Sequence, residues 1–326
     1  MNQKFIDFMR DFYGEKIAVA VSGGVDSIAL LHWMVEIGAD IVCLHVNHGL
    51  RDAAIAEEKY VQDTCKKLKV PCHVFHWTGE KPTSGVEAAA RSARYKMMTD
   101  FCHENDIEYL ATAHQSDDQI ETFLMNLGRG SGVFGLAAMQ PLSERDGIKI
   151  LRPLLNVSRD ELKNYCELKR IKYFTDEMNN DARYTRVRIR QNRHVLHDML
   201  GISDERILLA IENLNRARNA IEQDVDKLVA DVMGNGFAMF RDSFLFDLMP
   251  DIRLKFIGTL IQKIGGDNYQ PRLNSLELAI EKLHGNCKFT LGHCTLRRLG
   301  ERILIVREGA KTTFRKRHGK IKKIEK

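Results

Sequence analysis

Residues 17–31, with the sequence IAVAVSGGVDSIALL, constrain the fold more than any other part of the chain. Their first five residues are apolar and rich in β-branched side chains, a pattern typical of a strand that is buried on both faces. Ser22, Gly23 and Gly24 then predict a tight turn, because glycine adopts positive φ angles without strain. Asp26 and Ser27 open an apolar helical run. Because the first N–H groups of a helix have no partner within it, this strand–turn–helix unit predicts an anion site, most simply for phosphate.

The glycine turn matches neither of the two common nucleotide-binding loops. It lacks the Lys-Ser/Thr pair of the Walker loop, and it does not follow the GxGxxG pattern. The string SGGVDS at residues 22–27 instead resembles the pyrophosphatase loop of N-type ATP pyrophosphatases, enzymes that cleave ATP to AMP and pyrophosphate. Taken alone, six residues also fit an ordinary strand–turn–helix junction.

Strands and helices alternate after this unit and predict the fold class. Strands are predicted at residues 40–46, 72–77, 109–113 and 148–151, and helices at residues 53–68, 85–103, 117–127 and 158–169. This alternation favours an α/β fold with a parallel, Rossmann-like sheet, right-handed crossovers and helices on both faces. Functional loops are then expected at the carboxyl ends of the strands.

Two loops, the first of them at that edge, carry residues suited to a nucleotide. The second predicted strand runs into the string HVNHGLR, which contains His45, Asn47 and Arg51. Residues 127–132 form the glycine-rich string LGRGSG around Arg129. The same string fits a flexible connector, and that alternative stays open.

An acidic cluster follows the fourth predicted strand. His114, Asp117, Asp118 and Glu121 are spaced i, i+3, i+4 and i+7, so they share one face at the start of a helix. Asp117 and Asp118 could simply cap that helix, but capping does not explain Glu121 or His114. A Mg²⁺ site beside nucleotide phosphates accounts for all four better, because Mg²⁺ takes one or two carboxylates together with waters and phosphate oxygens.

Basic residues cluster in three places and predict polyanionic partners. The third predicted helix carries Arg91, Arg94 and Tyr95, which also fit a solvated basic face. Residues 182–196 contain five arginines and no acid, with Arg186 and Arg190 four apart on one helical face. Anions should lie near these guanidinium groups, and ATP, tRNA phosphates and neighbouring carboxylates all remain open. Residues 311–326 add eight Lys or Arg against one acid, which favours nucleic acid as a partner or a solvated tail.

Composition bounds the class of protein and its surroundings. The apolar share of 44% and the charged share of 29% are those of a soluble globular protein, and no apolar run is long enough for a bilayer. Seven cysteines, an odd number, favour reduced thiols and a cytoplasmic setting. Spacings such as Cys65/Cys72 and Cys287/Cys294 fit no zinc or iron–sulfur pattern, so most cysteines are predicted to be buried apolar side chains. The oligomeric state stays open.

The chain is long enough for one full α/β domain and a smaller second one. Residues 1–200 are predicted to form the catalytic domain, and residues 201–236 a helical linker built on one long amphipathic helix. Residues 237–326 are predicted to form a small α+β domain that ends in the basic tail and binds tRNA.

Several strings, in order, together resemble the tRNA(Ile)-lysidine synthetase family, over roughly residues 15–195. They are SGGVDS (22–27), HVNHGLR (45–51), EAAARSARY (87–95), TAHQSDDQIET (112–122), LGRGSGVFGL (127–136) and RPLL (152–155). Residues 176–190 are similar to the family's Asp-x-Ser-Asn…Arg-Asn-x-x-Arg segment, with matches at Asp176, Asn179, Arg186 and Arg190. The sequence departs from the family pattern at Met178, at Val187 and at Gln115, where a second histidine is common.

This resemblance implies that the wobble cytidine of tRNA(Ile) with a CAU anticodon is adenylated by ATP at its C2 oxygen, and that L-lysine then displaces AMP to give lysidine. It implies ATP-binding residues Ser22, Gly23, Gly24, Val25, Asp26, Ser27, His45, Asn47, Arg51 and Arg129. It implies catalytic residues Asp26, His114, Asp118 and Glu121, and Mg²⁺ ligands Asp26, Asp117, Asp118 and Glu121. Phosphate or tRNA contacts are implied for Arg91, Arg94, Tyr95, Arg186 and Arg190. A tRNA thiolase and a non-catalytic RNA-binding protein are the alternatives, the first disfavoured by the lack of a CxxC pair.

Overall fold

A computed structural model of the 326-residue chain describes residues 1–47, 49, 53–77, 86–175, 183, 185–285, 287–310, 313–317 and 320–324. For residues 53, 86–88, 313–317 and 320–324 the description covers the backbone alone. The chain divides into two compact units, Met1–Arg216 and Ala217–Lys326. Among the predicted site residues, Arg51 lies outside the described residues, as do Asp176 and Asn179 of the family segment.

The first unit alternates strands and helices along most of its length. Its strands are β1 (Lys16–Ala20), β2 (Asp40–Asn47), β3 (Cys72–His76), β4 (Tyr109–Ala111), β5 (Leu142–Arg145) and β6 (Ile148–Leu151). Its helices are α1 (Gln3–Arg10), α2 (Val25–Glu36), α3 (Ala53–Leu68), α4 (Val86–Glu104), α5 (Ser116–Leu127), α6 (Val133–Leu136), α7 (Arg159–Leu168) and α8 (Thr185–Leu200). Helix α9 (Asp204–Val232) begins in this unit and ends in the second.

The central sheet is a six-stranded layer in the order β3-β2-β1-β4-β6-β5, with every pair parallel except β5 with β6. The predicted α/β class with a parallel, Rossmann-like sheet is therefore confirmed. The chain builds outward from β1 to β3 and then returns to place β4 on the other side of β1. That reversal opens a crevice at the carboxyl ends of β1 and β4, the usual ligand position in open α/β sheets.

Alternate residues of the central strands face two hydrophobic clusters, because side chains alternate across a strand. On one face, Ile17 and Val19 pack with α2, whose Trp33 is 1% exposed, and with α1 and α7. On the other face, Ala18 packs with α4 through residues such as Met98. Helices therefore cover both faces of the sheet, which explains why its inner strands are apolar on both sides.

The edge strand β5 was missing from the sequence prediction, although its signal is present. Arg145 pairs with Ile148 across a two-residue turn, Asp146-Gly147, in which both residues have positive φ (50° and 78°). An Asp-Gly pair with two positive φ angles is the preferred connection of a tight β-hairpin. The hairpin adds an antiparallel strand at the edge of the sheet.

The second unit is an α+β layer. Its strands are β7 (Met233–Gly234), β8 (Phe237–Arg241), β9 (Phe289–Leu291), β10 (Cys294–Leu299) and β11 (Arg302–Arg307), which form one antiparallel sheet, and β12 (Thr313–Arg317) and β13 (Lys320–Ile324), which form a separate hairpin. Its helices are α10 (Asp242–Asp247), α11 (Pro250–Gly265) and α12 (Leu273–His284). Its core gathers α11, the inner strands and the end of α9 around Phe256. The predicted limits of linker and tail domain, 201–236 and 237–326, stay a prediction.

The helices in the described ranges include none with the length and apolar content that crossing a bilayer requires.

Candidate active site

The loop between β1 and α2 is shaped by one glycine and two serines. Gly23 has a φ of 95°, a conformation that strains any residue with a Cβ atom. The Ser22 N–H donates to Ser27 Oγ at 3.1 Å, and the Ser27 hydroxyl donates to the Gly24 carbonyl at 3.0 Å. From far along the chain, the Phe174 N–H donates to the Gly23 carbonyl at 3.0 Å. These bonds fix the path of the loop while leaving the start of α2 open.

The start of α2 can bind an anion. Its N-cap residue is Gly24, and no side chain caps the helix there. The N–H groups of the first turn, from Val25 to Ser27, therefore have no capping acceptor, and the helix dipole adds positive potential at the same point. Phosphate is the anion that such a strand–turn–helix unit commonly binds.

Asp26 is the one acid in the first turn of α2, and it is poorly neutralised. Its Oδ1 atom is buried and has no hydrogen-bond partner among the described residues. Burial raises the pKa of Asp26 from 3.8 to about 6, and Arg159 opposes that rise. A buried carboxylate oxygen without a donor is well suited to a cation.

The end of β2 supports the loop instead of presenting all its polar groups to a ligand. His45 is buried, and its Nδ1–H donates to the Val21 carbonyl at 2.8 Å, so the ring holds the last turn of chain before Ser22. The Asn47 amide donates to Glu58 Oε2 at 2.8 Å and accepts the Gly49 N–H at 2.9 Å. Both predicted ATP-binding residues thus have structural partners next to the crevice.

The acidic cluster after β4 starts with a capping box. The Gln115 side chain accepts the Asp117 N–H, and Asp118 Oδ2 accepts the Gln115 N–H at 3.1 Å. Capping, the alternative role of Asp118, therefore accounts for one of its two carboxylate oxygens, Oδ2. Asp117 Oδ2 instead accepts the Arg159 N–H at 3.0 Å, at the start of α7.

The acids of α5 meet the arginines of α8 directly. Arg190 donates to Glu121 Oε1 from Nε at 2.9 Å and from Nη2 at 2.7 Å, and Glu121 is only 1% exposed. Arg186 lies 3.4 Å from Asp118 Oδ1, and Arg193 lies 2.8 Å from Asp117 Oδ1. Of the three anions that the sequence left open for these arginines, the structure provides the neighbouring carboxylates.

Burial dominates the titration of this cluster. It raises the pKa values of Asp118 and Glu121, and the α8 arginines offset part of that rise. His114, whose Nδ1 is 3.0 Å from the Thr112 hydroxyl, has a pKa well below its usual range because of burial and the nearby guanidinium groups of Arg152 and Arg91. The His114 ring is therefore neutral at physiological pH.

The four predicted Mg²⁺ ligands differ in what they can still bind. Among the described residues they form no group of three whose ligand atoms lie within 4.8 Å of one another. Both oxygens of Asp117 and of Asp118 already have protein partners. Asp26 Oδ1 and Glu121 Oε2 are buried and lack a hydrogen bond within the described part of the chain, and Glu121 Oε2 lies 3.8 Å from Arg186 Nη1. These two oxygens are therefore the ones among the four acids with capacity left for a hard cation such as Mg²⁺.

The basic residues of α4 lie beside His114, whose pKa they lower. Burial, with Arg91 close by, lowers the pKa of Arg94. Tyr95 is 3% exposed and is covered by the guanidinium groups of Arg145 and Arg91, 4.4 and 5.2 Å from its ring centre. The Tyr95 ring thus forms cation–π contacts with two guanidinium groups.

Arg129 is exposed in the turn that follows α5. The glycine-rich string is fastened at the Asn126 side chain, which donates to the Gly135 carbonyl at 2.7 Å. No described contact joins Arg129 to the acidic cluster.

Two residues of the site, Gln115 and Arg159, are outside the predicted set. The position of Gln115 three residues before Asp118 is nevertheless an N-cap signal. Helical spacing extends the predicted arginine face of Arg186 and Arg190 to Arg193, which is seven residues after Arg186. Arg159 had no signal, because its role depends on where α7 starts relative to Asp117.

Arg190 and Arg193 also line an open cleft of about 440 Å³ with His194, His197, Ser203, Asp204 and Glu205.

The fold and the glycine loop define this protein as a PP-loop protein. The family model described as PP-loop domain matches residues 1–196. A solved structure of a U34-tRNA thiolase from Methanococcus maripaludis, with its 4Fe-4S cluster, has a TM-score of 0.56 and 20% identity, and covers 65% of this chain and 77% of that one. At that identity the likeness concerns the fold.

Curated relatives narrow the class. A tRNA(Ile)-lysidine synthase of Wolbachia pipientis wMel is 37% identical over 312 residues, which is 92% of this chain and 72% of the relative. One from Ruegeria pomeroyi is 35% identical over 299 residues, 90% of this chain and 71% of the relative. The chain belongs to the tRNA(Ile)-lysidine synthase family, as the sequence strings predicted. The alternatives of a thiolase or a non-catalytic RNA-binding protein are not favoured.

Proposed function

We propose that the chain ligates L-lysine to C2 of the wobble cytidine of tRNA(Ile) with a CAU anticodon, using ATP and releasing AMP and pyrophosphate. One observation carries this proposal. The uncapped start of α2 lies after β1, in the crevice beside β4, in a chain whose relatives are named lysidine synthases. Free cysteines throughout the chain support a reducing, cytoplasmic setting.

In the first step, the C2 oxygen of the cytidine attacks the α-phosphorus of ATP, and the bond to pyrophosphate breaks. In-line attack requires that the leaving group be held and its charge compensated. The N–H groups at the start of α2 and the Ser22 hydroxyl would hold the pyrophosphate. Gly23 gives the loop the tight path that this requires, because a residue with a Cβ would be strained at its φ angle. Arg91 and Arg94, beside neutral His114, would compensate charge on the phosphates.

A magnesium ion would be held by Asp26 and Glu121 together with phosphate oxygens. The support for this assignment is that each acid keeps one buried oxygen without a hydrogen bond among the described residues. When bound, the ion would neutralise charge on the leaving pyrophosphate. Asp117 and Asp118 would instead orient the site through α7 and α8.

In the second step, the ε-amino group of lysine attacks C2 of the adenylated cytidine, and the C2–O bond to AMP breaks. The amine must lose a proton first, since an ammonium has no lone pair. Burial raises the pKa values of Asp26, Asp118 and Glu121, so these carboxylates accept a proton more readily than exposed ones. One carboxylate of the site would accept this proton.

The tRNA would be held by basic residues of both units. Arg186 and Arg190 are partly exposed although they pair with acids of α5, so phosphates could share them. The second unit adds the basic tail, residues 311–326. Truncation after Gly309 is expected to weaken tRNA binding and lower its dependence on salt, because each phosphate contact releases counterions. If the affinity and the salt dependence stayed equal to those of the full chain, the tail would not be part of the tRNA interface.

The decisive experiment supplies the full chain with Mg-ATP, radiolabelled lysine and tRNA(Ile) carrying the CAU anticodon. Label should enter the RNA with one AMP and one pyrophosphate per lysine. A matched tRNA with uridine at the wobble position should stay unlabelled, because uridine presents different hydrogen-bonding groups from cytidine. Absence of incorporation into the CAU tRNA, or modification that needs a sulfur donor, would show that the assignment is wrong.

A further inference from the structure

Three cysteine side chains meet where β2, α3 and the start of β3 come together. The Sγ atoms of Cys43, Cys65 and Cys72 all lie within 4.8 Å of one another. They come from β2, α3 and the first residue of β3. Cys43 and Cys65 are 0% and 1% exposed, whereas Cys72 is half-buried. None of the seven cysteines forms a disulfide. Cys43 and Cys65 are part of the hydrophobic core, and the proposed ligation does not use these thiols.

We propose that Cys43, Cys65 and Cys72 form a structural site for a soft metal ion, Zn²⁺ or Cu⁺, bound by three thiolates. Thiolate ligands favour these ions over Mg²⁺, which prefers oxygen. Three thiolates meet the requirement of Cu⁺ directly, and they provide three of the four ligands that Zn²⁺ takes. Entry is on the Cys72 side, where the cluster reaches solvent.

The backbone holds the three thiols in place before any ion binds. Cys43 and Cys72 are direct partners on neighbouring parallel strands, so their side chains point to the same face. The Cys43 N–H donates to the Pro71 carbonyl at 2.8 Å, just before Cys72. The Val70 N–H donates to the Cys65 carbonyl at 2.9 Å. The short connection from α3 to β3 is therefore bonded at both ends, which lowers the entropy lost on binding.

Cys72 is the thiol that an entering ion meets first, because its side chain is half-buried whereas Cys43 and Cys65 are fully buried. Each thiol releases its proton as it binds, because the thiolate is the metal ligand.

The site is positioned to brace the glycine loop. Cys65 is one helical turn after Val61, whose Cγ2 is 3.6 Å from the position of a Cβ on Gly23. Cys43 is two residues before His45, which holds the Val21 carbonyl. An ion that joins β2, β3 and α3 would therefore stabilise the elements on which the loop rests.

The test uses the full chain, reduced and stripped of metal, titrated without oxygen with Zn²⁺ and separately with Cu⁺. One ion per chain is expected from at least one of the two, with a rise in the thermal midpoint of unfolding. Co²⁺ as a spectroscopic probe should give a thiolate-to-metal charge-transfer band. In alkylation followed by mass spectrometry, bound metal should protect Cys43, Cys65 and Cys72 and no other cysteine.

Cys72→Ser is the informative variant, because its side chain is the least buried of the three. It should weaken metal binding by at least about a hundredfold, whereas Cys102→Ser, at a buried thiol of α4, should leave binding unchanged. If neither ion binds at one per chain, if Cys72→Ser binds as tightly as the parent, or if alkylation protection falls on other cysteines, the proposal is wrong. The protection pattern is read on the unaltered chain, so it holds even if a variant does not fold.

Discussion

Asp26→Asn is expected to stabilise the metal-free protein at neutral pH while abolishing ligation. Burial raises the pKa of Asp26 from 3.8 to about 6, and a tenfold change in proton affinity corresponds to about 1.4 kcal/mol. The ionised carboxylate therefore costs the folded state about 3 kcal/mol above pH 6. Asparagine has nearly the same shape and no charge, so it removes that cost.

The pH dependence gives the sign of the effect. Below pH 3.8 the carboxyl is protonated in both states, and the substitution changes little. Between pH 3.8 and 6 the unfolded chain releases the proton while the folded protein keeps it, so the free energy of unfolding of the parent falls as the pH rises. The advantage of Asp26→Asn should therefore be small near pH 4 and reach its full size at pH 7.5.

Tryptophan fluorescence is a suitable assay, because both tryptophans, Trp33 and Trp77, lie in the first unit. For a unit of this size, about 3 kcal/mol corresponds to a rise of about 6–12 °C in the thermal midpoint. Asp63→Asn, at an exposed position of α3, is the matched control and should show no such gain. A midpoint at pH 7.5 equal to the parent's, or a gain of equal size at pH 4, would refute the reasoning.

Three further results are expected. Arg190→Met should destabilise the first unit by about 3–5 kcal/mol in urea unfolding, since it leaves Glu121 charged and buried; adding Glu121→Gln should recover part of the loss, and additive losses would contradict this. The ring proton shifts of His114 in NMR should stay constant between pH 8 and about 6, because its pKa is well below the usual range; a midpoint near 6.5 would contradict this. Gly23→Ala should cost about 1–2 kcal/mol of stability and weaken ATP binding, because φ is 95° there. Gly132→Ala, at a negative φ with no atom near the added Cβ, should leave ATP binding unchanged and cost less than about 1 kcal/mol of stability, because glycine is the better N-cap.

The sequence predicts most of the first unit because local patterns and tertiary structure agree there. The helix predicted at residues 53–68 and the strand at 148–151 match α3 and β6 at both ends. The hairpin strand β5 was missed, since LSER has no apolar alternation and the signal lies in the Asp146-Gly147 turn.

Contacts between distant segments were the part that the sequence could not supply. Helical spacing placed Arg186 and Arg190 on one face and predicted anions near them. Helical spacing could not show that these anions are the carboxylates of Glu121 and Asp118 instead of phosphates, because the partners of the arginines depend on how α8 packs on α5. The cysteine cluster shows the same limit, because the spacing of Cys65 and Cys72 gives no metal pattern, and only the folded chain brings Cys43 of β2 close to both.

The bond from the Phe174 N–H to the Gly23 carbonyl has a consequence for the order in which the protein matures. The glycine loop is among the first segments to leave the ribosome, whereas Phe174 and the arginines of α8 emerge much later. Contacts between such distant residues form late, because a long loop must close before they are gained. A nascent chain that stops before residue 174 thus carries the glycine loop without its bond to Phe174, and the acids of α5 without their arginine partners in α8. The contacts between the glycine loop, the acids of α5 and the arginines of α8 are complete only when synthesis has passed α8.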